Sequence, residues 1–159
     1  MVILGIDPGI ASTGYGVIRA GNGGKLHSVD YGTITTSVKD TLEERLKLIY
    51  EGITGVIHDF RPNEAAIETV FYSKNLKSLV QVSEAIGVLT LAAYNFGLKI
   101  QRFTPLEVKQ VLVRSGTAKK KQIQLMVMNI LNLKDPPKPD HASDALAVAI
   151  CYAVSKTIK

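Results

Sequence analysis

The hydrophobic period of this chain changes at Thr41, and the change restricts it to an α/β class of fold. Before that point residues 2–7 and 13–20 are apolar or alternating runs, with Gly9 and Gly14 between them, which is the pattern of two strands in a hairpin. Gly21-Asn22-Gly23-Gly24 supplies a turn, because Gly and Asn tolerate positive φ, and residues 25–36 resume as a third strand through Leu26, Val29, Tyr31 and Ile34. The sheet therefore begins as an antiparallel meander. After Thr41, Leu42, Leu46, Ile49, Ile53, Val56, Ile57 and Phe60 recur at helical spacing until Arg61-Pro62-Asn63 stops them.

A strand is predicted at about 64–70, a long helix over 75–96 and a further strand over 98–103. In the long helix, residues 85–93 are apolar almost all round, which predicts burial on more than one side. Thr104-Pro105 can cap and open a short helix over 105–113, since Thr accepts a backbone N–H and Pro has none to lose. Gly116 breaks it, another helix spans about 118–132, Asp135-Pro136-Pro137-Lys138-Pro139 is a stiff connector, and a last helix covers about 141–156. Without repeats, low-complexity tracts or a domain-sized linker, residues 1–159 are expected to form one domain.

The single cysteine, Cys151, lies in an apolar run, excludes an internal disulfide and reads as a small buried hydrophobe in a reducing compartment. No basic start followed by a long apolar run is visible, and no stretch is expected to reach the ~20 apolar residues of a membrane span, so the expected location is cytoplasmic. Net charge is +5, and its distribution is uneven: residues 1–100 carry nine Lys/Arg against ten Asp/Glu, residues 101–159 ten against four. A C-terminal basic excess suits a surface facing a polyanion such as nucleic acid, and equally a solvated basic face.

Four residues sit where apolar segments end or turn. Asp7 closes Val2-Ile3-Leu4-Gly5-Ile6 and precedes Pro8-Gly9, and Glu68 follows Ala65-Ala66-Ile67. His141 and Asp144 are three apart, so they share a helix face that Val148 and Cys151 continue inward. Brought together, three carboxylates and an imidazole would need a counter-charge, which a divalent cation supplies; oxygen-rich donors favour Mg²⁺ or Mn²⁺ over zinc. Taken singly, Asp7 also reads as a turn former, Glu68 as a strand-end surface group and Asp144 as a first-turn helix charge. Asp140 rivals His141 by spacing, but after Pro139 it reads better as the helix N-cap.

Nucleotide-binding loops are not supported: Gly14-Tyr15-Gly16 lacks a third glycine, and Lys25 is followed by Leu26 rather than Ser or Thr. His27, in a strand, and His58, near a helix end, read as surface or packing residues rather than parts of a nucleophilic triad.

Several stretches together closely resemble the RuvC family of Holliday-junction resolvases, the crossover junction endodeoxyribonucleases. They are Leu4-Gly5-Ile6-Asp7-Pro8-Gly9, Thr13-Gly14-Tyr15-Gly16-Val17-Ile18, Arg45-Leu46-Lys47-Leu48-Ile49-Tyr50, Ile67-Glu68-Thr69-Val70-Phe71 with Lys74-Asn75, and Asp144-Ala145-Leu146-Ala147-Val148-Ala149-Ile150. The resemblance covers nearly the whole chain in order. It implies an α/β ribonuclease-H-like fold, with a five-stranded mixed sheet of a three-strand antiparallel meander plus two parallel strands, flanked by helices.

It also implies a homodimeric endonuclease that nicks two opposed strands of a four-way DNA junction in recombination and repair, leaving 5′-phosphate and 3′-hydroxyl ends. By position, Asp7, Glu68, His141 and Asp144 match the family's metal-binding set, with His141 standing where some members have aspartate. The matching chemistry is hydrolysis with two Mg²⁺ ions per site, Mn²⁺ being able to substitute. Phe71 matches an aromatic that stacks with junction bases. Lys109 and Lys120 match lysines near the DNA backbone, with Arg114, Lys119 and Lys121 as neighbours. A branch-migration complex of RuvA and RuvB is the implied partner. A catalytically silent junction-binding module and an actin-like ATPase remain the alternatives; the latter normally needs two such domains around its nucleotide.

Overall fold

Alternation along β1 (Val2–Asp7) sends Leu4 and Ile6 to one face of a sheet and Ile3 and Gly5 to the other, so the strand must be covered on both sides. In a computed structural model that describes residues 1–69 and 75–157, β1 is the centre of a five-stranded sheet. On one side it pairs antiparallel with β2 (Ser12–Ala20), which pairs antiparallel with β3 (Leu26–Thr35). On the other it pairs parallel with β4 (Glu64–Glu68), which pairs parallel with β5 (Lys99–Phe103). The order is β3-β2-β1-β4-β5, so the meander and the two parallel strands expected from sequence are both present.

Parallel neighbours require crossovers, and two helices provide them. α1 (Leu42–Phe60) joins β3 to β4 and starts in a capping box: Thr41 Oγ1 accepts from the Glu44 amide at 3.3 Å, and Glu44 Oε2 accepts from the Thr41 amide at 2.8 Å. Arg61 ends it at φ 45°, in the left-handed region. α2 (Leu76–Asn95) joins β4 to β5. Ile49, Ile53 and Ile57 of α1 and Ala85, Leu89, Ala92 and Ala93 of α2 bury the Leu4/Ile6 face.

The opposite face is covered by α5 (Asp140–Thr157), flanked by α3 (Pro105–Val113) and α4 (Lys120–Ile130). α3 has the Thr104 cap read from sequence, with Glu107 completing its box. α5 begins one residue earlier than expected. The Pro139 carbonyl accepts from the amides of Ala142 and Ser143, so Pro139 holds the cap position and Asp140, expected there, is instead a first-turn residue.

α2 differs from expectation in a second way. Its buried stripe is one-sided, whereas Leu76, Val80, Leu91 and Tyr94 are 75%, 58%, 54% and 72% exposed. This is also the one described helix long and apolar enough to cross a membrane by length and composition, contrary to the expectation that no stretch would reach that limit. Burial on more than one side is not met within a single chain.

The fold brings α5 unusually close to the sheet. A Cβ on Gly5 would lie 2.1 Å from the Ala145 carbonyl oxygen, and one on Gly14 would lie 1.9 Å from that of His141. Both contacts are with helix backbone, which cannot swing aside as a side chain can. Gly14→Ala is therefore expected to lift the start of α5, costing about 1–3 kcal/mol in urea unfolding and cutting activity more than that loss of folded protein explains. Wild-type stability and activity together would show that the close approach is dispensable.

Candidate active site

Parallel pairing in register, Ile6 opposite Ile67, sets the ends of β1 and β4 side by side and so delivers Asp7 and Glu68 to one edge of the sheet. The first turn of α5, seated against Gly14, delivers His141 and Asp144 to the same edge. Asp7 is 8% exposed, and its Oδ2 lies 2.7 Å from His141 Nδ1. Ligand atoms of Asp7, His141 and Asp144 all lie within 4.8 Å of one another. Asp7, His141 and Asp144, separated by up to 137 positions in sequence, thus lie together at one sheet edge, with Glu68 joined to them through a hydrogen bond to Asp7.

Electrostatics reports the crowding. The Glu68 carboxyl is pushed up to about 8, first by burial, then by the Asp7 charge, the hydrogen bond with Asp7 and the Asp144 charge, with Lys109 pulling the other way. Asp144 is also raised, chiefly by burial, against a lowering hydrogen bond from Lys120. His141 is raised mainly by its hydrogen bond to Asp7, so its imidazole holds a proton to higher pH than usual.

Two lysines approach this cluster. Lys109 and Lys120 line a cleft of about 230 Å³ together with Glu68, Pro105, Val108, Ile123, Asp144 and Ala147. Lys120 Nζ is 3.0 Å from Asp144 and 3.3 Å from Asp140, and Gln124 Nε2 donates to the other oxygen of Asp140 at 2.9 Å. Asp140 therefore turns toward α4 rather than into the Asp7–His141–Asp144 cluster. Gln124 had no signal of its own in the sequence, although its spacing of four from Lys120 puts the two on one face of α4.

The other residues are less central. Arg114, Lys119 and Lys121 are exposed around the α3–α4 connection and do not line the cleft. Phe71 lies outside the described residues. His27 and His58 are exposed, and Cys151 is fully buried, its thiol pushed up to about 12 by burial.

The donor set fits a small divalent cation. Two atoms on one such ion can be at most about 4.2 Å apart, twice a ~2.1 Å bond, so a cluster within 4.8 Å needs only small side-chain rotations. The two carboxylates supply the oxygen donors that hard divalent cations take, and the His141 imidazole adds a nitrogen that also suits softer metals, so the set fits a divalent cation without selecting one. The raised Glu68 is what an acidic cluster shows when its counter-charge is incomplete.

Comparison with known proteins identifies the family. The sequence model of the family described as Crossover junction endodeoxyribonuclease RuvC matches residues 3–152. A crossover junction endodeoxyribonuclease RuvC of Clostridioides difficile (strain 630) is 45% identical over 159 residues, covering 100% of this chain and 94% of that protein. The structure of Thermus thermophilus RuvC aligns with a TM-score of 0.92 at 35% identity, covering 99% of this chain and 96% of that one. The structure of T. thermophilus RuvC in complex with Holliday junction substrate aligns at 0.91 and 33% identity, over the same shares. Similarity of this extent takes in the ribonuclease-H-like sheet that carries the acids and the helices that flank it: the chain belongs to the RuvC family of crossover junction endodeoxyribonucleases.

Proposed function

We propose that this chain resolves four-way DNA junctions by paired symmetric hydrolysis of two opposed strands, leaving 5′-phosphate and 3′-hydroxyl ends. The observation that carries this reading is the convergence of Asp7, His141 and Asp144 at one sheet edge, with Glu68 hydrogen-bonded to it, inside a chain of this family. Residues 1–159 act in it as one nuclease domain.

Asp7, His141, Asp144 and Glu68 would hold divalent cations, two Mg²⁺ per site with Mn²⁺ able to substitute. When bound, such ions supply an activated water and positive charge at the leaving 3′ oxygen. The chain's own residues do the remainder. Lys109 and Lys120, at the mouth of the cleft, draw the phosphate toward the acids and offset the charge that builds on it. Arg114, Lys119 and Lys121 extend the positive surface for the DNA arms, and Phe71 stacks on junction bases. The His141 imidazole must be neutral to become a ligand, and Glu68 must ionise; both are raised, so metal binding releases protons and tightens as pH rises toward about 8.

Two opposed cuts require two sites related by a two-fold axis. The open apolar side of α2, through Leu76, Val80, Leu91 and Tyr94, supports a homodimer joined there. A branch-migration complex of RuvA and RuvB, as partner, and a cytoplasmic location rest on the family resemblance.

The deciding experiment compares cleavage of a four-way junction, a linear duplex and an RNA–DNA hybrid, with and without Mg²⁺. Metal-dependent, symmetric nicking of the junction alone is expected. Binding without cleavage would leave a silent junction-binding module, and ATP binding with no nicking would favour the actin-like alternative.

Substitutions at His141 test the ligand set. His141→Asp should keep cleavage with Mg²⁺, because it replaces the imidazole nitrogen with a carboxylate oxygen donor from the same helix position, whereas His141→Ala should lose roughly 10- to 100-fold. Equal, full activity in both would remove His141 from the site.

A further inference from the structure

Lys120 does something in this structure that phosphate attraction does not require. Its ammonium sits 3.0 Å from Oδ2 of Asp144, a residue of the cluster assigned to the cation. Its second partner, Asp140 Oδ2 at 3.3 Å, belongs to a residue outside that cluster. The two acceptors differ in setting: the Asp144 side chain is 28% exposed and the Asp140 side chain 62%. Gln124, one turn along the same helix as Lys120, donates to Asp140 Oδ1 and fixes the carboxylate with its other oxygen turned to the lysine. One helix thus carries both the mobile cation and the group that orients its outer acceptor.

An ammonium and a divalent ion cannot share Asp144 closely without strong repulsion. Lysine is suited to moving, since its charge is a compact group on a flexible four-carbon stem. We propose that Lys120 is a tethered counter-ion that occupies Asp144 in the metal-free protein, and that Asp140, steadied by Gln124, is the berth to which it withdraws when a divalent cation enters. Asp140 is then a positioning residue acting through Lys120. The withdrawn ammonium remains at the cleft mouth, where an incoming phosphate passes. The inference rests on the metal site proposed above.

Without the berth, Lys120 stays on Asp144 and competes with the cation. Asp140→Asn should therefore weaken Mn²⁺ binding by the DNA-free protein about three- to fivefold, the scale of an exposed charge pair, and Lys120→Met should tighten it. Loss of a nearby negative charge would also weaken binding, but it would do so whether or not the lysine is present. The double variant separates the two: Asp140→Asn should have no effect in a Lys120→Met background, and Asp140→Glu should restore affinity.

The measurement is calorimetric titration of Mn²⁺ into wild type, Asp140→Asn, Asp140→Glu, Lys120→Met and the double variant, at fixed pH and ionic strength. An equal Asp140→Asn effect in both backgrounds, no effect in either, or no tightening in Lys120→Met overturns the proposal. An Asp7→Asn control that binds Mn²⁺ like wild type overturns the metal site itself, and this inference with it; weakened binding in that control with no Asp140–Lys120 coupling overturns this inference alone.

Discussion

Asp7→Asn is expected to lower junction cleavage by roughly 10²- to 10³-fold or more, with junction binding at least as strong as in wild type. The substitution keeps shape and keeps an oxygen for His141 Nδ1, now 2.7 Å from the carboxylate, so the end of β1 and the start of α5 should stay in place. What it removes is the charge most central to the site, the one that touches His141, stands in the three-residue cluster and raises Glu68. Binding should not suffer, because Lys109, Lys120 and the exposed basic residues around α4 are untouched and one repulsion against the phosphate is gone. Electrophoretic mobility shift in EDTA and cleavage in Mg²⁺ provide the two readouts. Cleavage at the wild-type rate would sink the metal-site assignment; lost binding would mean that Asp7 holds the fold rather than the cation.

The sheet was legible because its strands obey local rules. Alternation in β1, the glycine turn after Ala20 and the Thr41 and Thr104 caps are each set by neighbours in sequence, and the elements appear within a few residues of their expected bounds. Asp7 and Glu68 were legible for a related reason: a charge that ends a buried strand has few places to go. Other parts depend on contacts made only in three dimensions. Gly5 and Gly14 read as ordinary strand and turn glycines, yet their purpose is the backbone of α5, more than 120 residues later in the chain. Asp140 reads as a cap because its neighbour is Pro139, but the Pro139 carbonyl itself takes the first amides of α5, which leaves the Asp140 carboxylate to Lys120 and Gln124 on another helix. The apolar surround of α2 reads as burial on more than one side, whereas one chain covers only one of them and leaves Leu76, Val80, Leu91 and Tyr94 exposed, because sequence periodicity shows which positions are apolar and not what packs on them.

Glu68→Gln should abolish cleavage and yet stabilise the metal-free protein, increasingly so as pH rises. In the folded state the Glu68 carboxyl is held at about 8, against about 4.3 in an unfolded chain. Between those values the native state binds a proton that the unfolded state does not, so this group makes stability fall as pH rises. The contribution is intact below the unfolded value and is lost by the time pH has passed the folded one. Glutamine imitates the protonated acid and carries no such penalty. At pH 9 the variant should gain on the order of 1–3 kcal/mol, or several degrees in melting temperature for a chain of this size, while at pH 4 the two proteins should melt together. Mg²⁺ should then raise the melting temperature of wild type at pH 9 much more than that of Glu68→Gln, because only the wild type recovers its lost stability by placing a cation among ionised acids. The gain should also shrink in an Asp7→Asn background, where the charge chiefly responsible for raising Glu68 after burial is absent. Thermal melts of the four proteins in EDTA across pH 4 to 9 would decide it: a Glu68→Gln effect independent of pH would mean that the carboxyl is not held protonated by its neighbours, and that the repulsion a divalent cation is supposed to relieve is not there.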